Sequence, residues 1–192
     1  MNEMILLLEQ AIAEFGDGFI PTYPTLLFEK NMILDMGDMT LELYYFGGRH
    51  TDSDLVIYVP EEGLVALGDH IPGPMLPFVG RGVIDDLPIV LEHWGRILES
   101  GRELKHVTLA HWDMPISVEA FKQQYRYLKT ILETLSDMQL EGKTLADARN
   151  AFSIAEDFPY FQDKILKVQG IDLHDNNIES LWKWLSEKQE HD

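Results

Sequence analysis

Three side chains able to bind a divalent cation or move a proton stand at or just beyond the ends of short apolar runs. They are His50 in Gly48-Arg49-His50-Thr51-Asp52-Ser53-Asp54, Asp69 after Val65-Ala66-Leu67-Gly68, and His111 after Leu109-Ala110. Strand ends are rigid and the loops beyond them open, which is where α/β proteins place ligands and chemistry. Imidazole nitrogen and carboxylate oxygen are also the donor set of zinc and other borderline divalent metals. Each residue has an ordinary structural alternative: a loop histidine at 50, a turn cap at 69, a satisfied strand-end histidine at 111. Thr51 and Asp54 suit a supporting role, stabilising the turn or orienting a ligand. His70 is a possible stand-in for Asp69, although adjacent residues tend to point in opposite directions. No two histidines stand at i and i+2, and no His-Glu-x-x-His occurs. Ser-x-x-Lys, Gly-x-Ser-x-Gly and phosphate-binding glycine loops are absent as well, and no catalytic side chain is assigned.

The elements that must position these residues follow from periodicity and turn chemistry. Ile5, Leu8, Ile12 and Phe15 predict an N-terminal helix stopped at Gly16, followed by a Gly/Pro loop. Two or three short strands are expected from Leu26 to Phe46, at Leu26–Glu29, Met32–Asp35 and Thr40–Phe46, the last two joined by a turn at Gly37-Asp38. Leu55–Val59 and Leu64–Leu67 read as a hairpin around Pro60-Glu61-Glu62-Gly63, apolar on both faces and so covered on both. Residues 71–83 form an irregular loop suited to the rim of a site. A helix from Asp85 or Asp86, with Pro88 in its first turn, runs to Gly101, and His106–Ala110 is the last strand. Ser117 caps a long helix carrying Phe121, Tyr125, Leu128, Ile131, Leu132 and Leu135. Thr144 and Asp147 make a capping box, and Ile178, Leu181, Trp182 and Leu185 mark a final helix. Trp94, Trp182 and Trp184 read as core or interface residues. His93 and His106 read as structural, and His174 and His191 as solvated tail residues.

With 192 residues, 45% of them hydrophobic, the chain is long enough for one domain with a real core. Within it, 1–24 is a helix and loop, 25–115 a β-rich core and 116–192 a set of helices. A net charge of −18 repels phosphate backbones and anionic lipid, so nucleic acid and membranes are poor partners. The absence of cysteine excludes disulfides, thiolate metal sites and a cysteine nucleophile. The first residues lack the basic and apolar regions of a signal peptide, and no apolar run nears the roughly 20 residues of a membrane span, so a cytoplasmic location is expected.

At Phe46-Gly47-Gly48-Arg49-His50-Thr51, at Val56-Ile57-Tyr58-Val59-Pro60-Glu61 and at Leu67-Gly68-Asp69 the chain resembles the metallo-β-lactamase superfamily. Members commonly show a strand ending in Gly-x-x-His-Thr, a "VYLPE" hairpin and a strand ending in Gly-Asp. The helix carrying Trp94, the strand leading to His111 and Gly142-Lys143-Thr144-Leu145-Ala146-Asp147 continue the family order. The resemblance covers residues from about 25 to about 150 and implies the C-terminal half alone, because the family's His-x-His-x-Asp-His motif is absent. It implies an α/β fold: a mixed, largely antiparallel sheet flanked by helices, half of an αβ/βα sandwich. It also implies metal ligands at His50, Asp69 and His111, with zinc as the metal or iron or manganese in its place. The implied activity is hydrolysis of an ester-, thioester- or amide-like bond in a small molecule by metal-activated water. A lone half would expose an apolar sheet face, so a homodimer or a partner chain supplying the missing half is expected. The alternative is a catalytically silent binding module that dimerises through that face.

Overall fold

The computed structural model describes residues 2–15, 22–47, 51, 53–71, 73–79, 87–164, 166–168 and 170–189. A helix, α1 (Asn2–Phe15), leads into strands β1 (Asn31–Asp35), β2 (Thr40–Tyr44), β3 (Val56–Val59) and β4 (Leu64–Ala66). Helix α2 (Leu87–Glu99) carries the chain across to strand β5 (His106–Thr108). Then come α3 (Val118–Leu140), α4 (Leu145–Arg149), α5 (Ile154–Asp157), a small hairpin of β6 (Lys167–Val168) and β7 (Ile171–Asp172), and α6 (Leu173–Gln189). Among the described residues five strands form one sheet in sequential order, β1-β2-β3-β4-β5. The first three pairings are antiparallel and β4–β5 is parallel, so the sheet is mixed and largely antiparallel as expected. A parallel neighbour needs a crossover, and α2 supplies it.

The two faces of the sheet differ. Tyr44, Val56, Tyr58, Val65 and Val107 share one face by register, and the last four are buried in the hydrophobic cluster built by α2, α3 and α6. There Trp94 meets the edge of Phe121 at 5.4 Å, and Leu128, Ile131 and Leu135 form a buried helical stripe of the same cluster. Each fully buried side chain of this size contributes about 1.5–3 kcal/mol from removal of apolar surface. On the opposite face, Met32, Leu34, Leu41, Leu43, Ile57 and Leu64 are half-buried and stand outside that cluster. Of the two faces of β3 and β4, the helix side is buried, while on the other Val59 is buried and Ile57, Leu64 and Ala66 are half-buried.

Local chemistry accounts for the boundaries. Ser117 Oγ accepts from Ala120 N at 3.1 Å and starts α3. Thr144 and Asp147 make both halves of a capping box, with Asp147 N to Thr144 Oγ1 at 3.2 Å and Thr144 N to Asp147 Oδ2 at 2.8 Å. Between β1 and β2, Gly37 takes φ +96° and donates to Asp35 Oδ1 at 2.8 Å. Residues Leu26–Glu29 are not a strand: Leu26 and Leu27 project outward, and pairing begins only where Tyr45 N donates to Lys30 O at 2.7 Å. Of the expected helix at 85–101, Leu87–Glu99 is helical; Asp85 and Asp86 lie outside the described residues.

The β3–β4 turn is the tightest point of the sheet. Pro60–Glu62 forms one 3₁₀ turn and Gly63 closes it at φ +58°. Gly63 O then accepts from both Lys105 N (2.7 Å) and His106 N (3.2 Å), which aligns β5 beside β4. A Cβ on Gly63 would lie 2.6 Å from Glu103 O, too close for any side chain. Gly63→Ala is therefore expected to destabilise the fold by about 2 kcal/mol or more through strain and a backbone clash. Urea unfolding followed by circular dichroism checks this; an unchanged midpoint would contradict the role given to the turn.

Candidate functional site

The register of β4 with β5 decides which side chains meet. Ala66 pairs with Thr108, and the pairing continues past the strands through Leu67 N to Thr108 O (2.9 Å) and Ala110 N to Gly68 O (3.2 Å). Asp69 lies three residues beyond Ala66 and His111 three beyond Thr108. Equal offsets from a paired position bring the two residues side by side, and His111 Nε2 lies 3.1 Å from Asp69 Oδ1. The imidazole is 72% exposed and the carboxylate 28%, so the pair faces solvent at the edge of the sheet. Trp112 follows, 46% exposed, with its ring 3.4 Å from where a Cβ on Gly73 would stand.

His50 lies outside the described residues, as do Arg49 and Asp52. Thr51 and Asp54 are held together: Thr51 Oγ1 donates to Asp54 Oδ1 at 2.8 Å, and Thr51 N to Asp54 Oδ2 at 3.1 Å. This closes a small turn immediately before β3. His70 is buried and its ring centre lies 6.2 Å from that of Trp94, so it points inward while Asp69 points outward. His93 stacks on Phe46, 4.2 Å between ring centres, and His106 is exposed at the start of β5.

A separation of 3.1 Å would let Asp69 and His111 reach one ion through bonds of about 2.1 Å. Two donors are too few, however. Among the described residues no group of three or more His, Asp or Glu side chains is arranged to hold a metal ion, whereas a catalytic zinc asks for three protein ligands and a water. The described side chains therefore do not by themselves fit the implied metal.

The loop after Asp69 is anchored in a way the sequence does not announce. Its composition suggests an open rim, yet Leu76 and Val79 are fully buried. Gln124 Nε2 of α3 donates to Met75 O (2.6 Å) and Gly73 O (3.1 Å). Asn177 of α6 accepts from Val79 N (2.7 Å) and donates to Pro77 O (2.5 Å) and Tyr127 Oη (3.1 Å), while Asn176 donates to Val79 O (2.8 Å). A buried loop must find partners for its backbone, and these amides supply them. Gln124 and Asn177 are the buried polar signal, but in sequence each is one polar residue on a helix.

The same network corrects the reading of His174 as a solvated tail residue. It is half-buried at the start of α6 among Tyr127, Phe152 and Phe158, with Nδ1 2.9 Å from Tyr127 Oη. Burial pushes its pKa below 6.5, outweighing Asp175, Asp172 and Asp157, and burial likewise pushes Tyr127 up. His191 lies outside the described residues.

No protein-family model matches the sequence, and no curated protein matches it. Solved structures do share the fold. One is the stereoselective inverting sec-alkylsulfatase from Pseudomonas sp., 17% identical with a TM-score of 0.60 over 84% of this chain and 26% of that one. Another is a metallo-beta-lactamase family protein from Thermus thermophilus, 19% identical with a TM-score of 0.51 over 88% of this chain and 51% of that one. The helices and mixed five-stranded sheet thus match part of the metallo-β-lactamase fold. The chain spans about a quarter of the sulfatase and about half of the Thermus protein. Among the described residues no helix is long and apolar enough to cross a membrane.

His174 makes stability depend on pH. The unfolded chain binds the proton near 6.5 while the buried ring resists it, so stability is full above that pH and falls as the pH drops below it. His174→Gln should flatten the difference in melting temperature between about pH 7.5 and about pH 5.5 relative to wild type. An identical difference in both proteins would remove His174 from the account.

Proposed function

We propose that this chain is one half of a metallo-β-lactamase-type, metal-dependent hydrolase acting on a small-molecule substrate. In this reading it contributes Asp69 and His111, with His50 by sequence resemblance, to a site that further polypeptide completes. The observation that carries the reading is the 3.1 Å approach of Asp69 and His111 at equal offsets beyond paired strands. Structural strand ends have no general reason to bring a carboxylate and an imidazole into contact in the open. The coverage of about half of the Thermus protein supports the need for a complementary half. Zinc is the metal proposed, with iron or manganese as replacements of similar ligand preference. Because the described donors number two, the isolated chain is expected to hold zinc weakly and below stoichiometry. Elemental analysis of chelator-free protein, with zinc titration by calorimetry, tests this. Asp69→Ala and His111→Ala should each weaken binding by about tenfold or more, and His50→Ala should do the same. Tight zinc that all three variants retain would sink the assignment.

A second reading, a silent module that dimerises, is favoured by a separate observation. Met32, Leu34, Leu41, Leu43, Ile57 and Leu64 form one continuous apolar sheet face outside the core cluster. These side chains are only half-buried, and further burial of the face by a second copy of this chain or by the complementary half would remove more apolar surface from water. Sedimentation of wild type as a dimer, converted to monomer by Leu43→Lys, is the expected outcome. A monomeric wild type at micromolar concentration would remove the homodimer and leave the complementary half as the occupant.

A further inference from the structure

A concavity lies on the helix side of the sheet, away from Thr51, Asp54, Asp69 and His111, none of which lines it. It is a cleft of about 800 Å³ between α2 and the β1–β2 side of the sheet, within the range of small-molecule sites. Its floor carries Val56, Tyr58 and a row of rings. Tyr44 stacks on Phe46 (5.5 Å between centres, 21° between planes), and Phe46 stacks on His93 of α2 (4.2 Å, 14°). Ile97 and Leu104 add aliphatic wall. His93 Nδ1 donates to Ile89 O at 2.7 Å, which ties the ring to its own helix beside Phe46.

One end of the cleft holds a preorganised cation. Arg102 places its guanidinium carbon 4.8 Å over the Tyr58 ring, and Nη1 donates to Glu42 Oε2 at 2.6 Å. Glu42 also accepts from the Tyr44 hydroxyl and is only 14% exposed. Burial works against the Glu42 charge, but the Tyr44 and Arg102 hydrogen bonds outweigh it and hold the carboxyl below its usual range. The guanidinium is thereby fixed between a carboxylate and a ring before any ligand arrives. It has five N–H donors in all, more than one carboxylate oxygen uses. Along the lining Arg96 is paired with Glu92 and Arg102 with Glu42, and Glu29 and Lys30 both contribute, so selection for an anion rests on the unused guanidinium donors of Arg102 and not on a net positive charge.

We propose that this cleft binds an amphipathic organic anion: an apolar body, aromatic or aliphatic, laid along Tyr44, Phe46 and Ile97, with one carboxylate on Arg102. The apolar wall supplies affinity and the fixed guanidinium supplies selection for the anion. The overall negative charge repels anions, so any anion preference must arise locally. The proposal is independent of the metal-dependent reading and uses none of its residues.

The test is an NMR titration of ¹⁵N-labelled protein with 2-naphthoate and, separately, with neutral 2-naphthamide of the same shape. Saturable shifts at Phe46, Ile97 and Arg102, with naphthoate bound at least about fivefold more tightly, are expected. Arg102→Lys keeps the charge beside Glu42 but loses the fork, and should weaken naphthoate by about threefold or more while leaving naphthamide unchanged. Equal binding of the two probes by wild type, shifts confined to the opposite sheet face, or no shifts at millimolar probe would each overturn the proposal. The two-probe comparison on wild type decides the matter even if the variant folds poorly.

Discussion

The parallel pairing of β4 with β5 is the constraint on which the rest of the molecule hangs. Gly63 O, bonded to two consecutive amides at the entry to β5, sets the register. That register dictates that Asp69 and His111 emerge together. It also requires α2 as the connection, and α2 in turn brings Trp94 into the core and His93 onto Phe46. A one-residue slip of β5 along β4 would turn Val107 away from the helices and separate the two polar side chains. Core packing and the candidate site are thus consequences of one backbone arrangement.

Much of this is legible in the sequence because local rules and tertiary needs agree. Strands β1 to β5, the Ser117 cap, the Thr144/Asp147 capping box and the apolar stripe of α3 each carry a short-range signal that packing then reinforces. Leu26–Glu29 misleads for the converse reason. It is apolar enough for a strand, but with Pro24 two residues before it and no neighbouring ladder it stays irregular. The β6–β7 hairpin and α5 are too short to show any period. Asp69 and His111 can be suspected from their positions after strand-like runs. Their contact cannot, because it depends on a register set about forty residues apart in the chain.

The polar clamp on residues 73–79 illustrates a second limit. Gln124, Asn176 and Asn177 reach backbone groups about 50 to 100 positions away, and in sequence they are ordinary polar residues on amphipathic helices. Burial gives them their weight. An amide nitrogen or carbonyl left unpaired in the interior costs about 1–3 kcal/mol, so the loop can be buried only while the two helices hold it. The C-terminal helices are therefore not an appendage to the sheet; they determine where the segment following Asp69 can run.

The exposed Asp69/His111 pair and the cleft beside α2 have different physical characters, which argues for treating them separately. Asp69 and His111 meet at the ends of β4 and β5 with the imidazole largely in solvent, and among the described residues no third donor joins them. The cleft beside α2 needs no second chain: its rings are stacked, its carboxylate is paired and its guanidinium is anchored within one polypeptide. Preorganisation lowers the entropy lost on binding, so a site already built can select a ligand by itself.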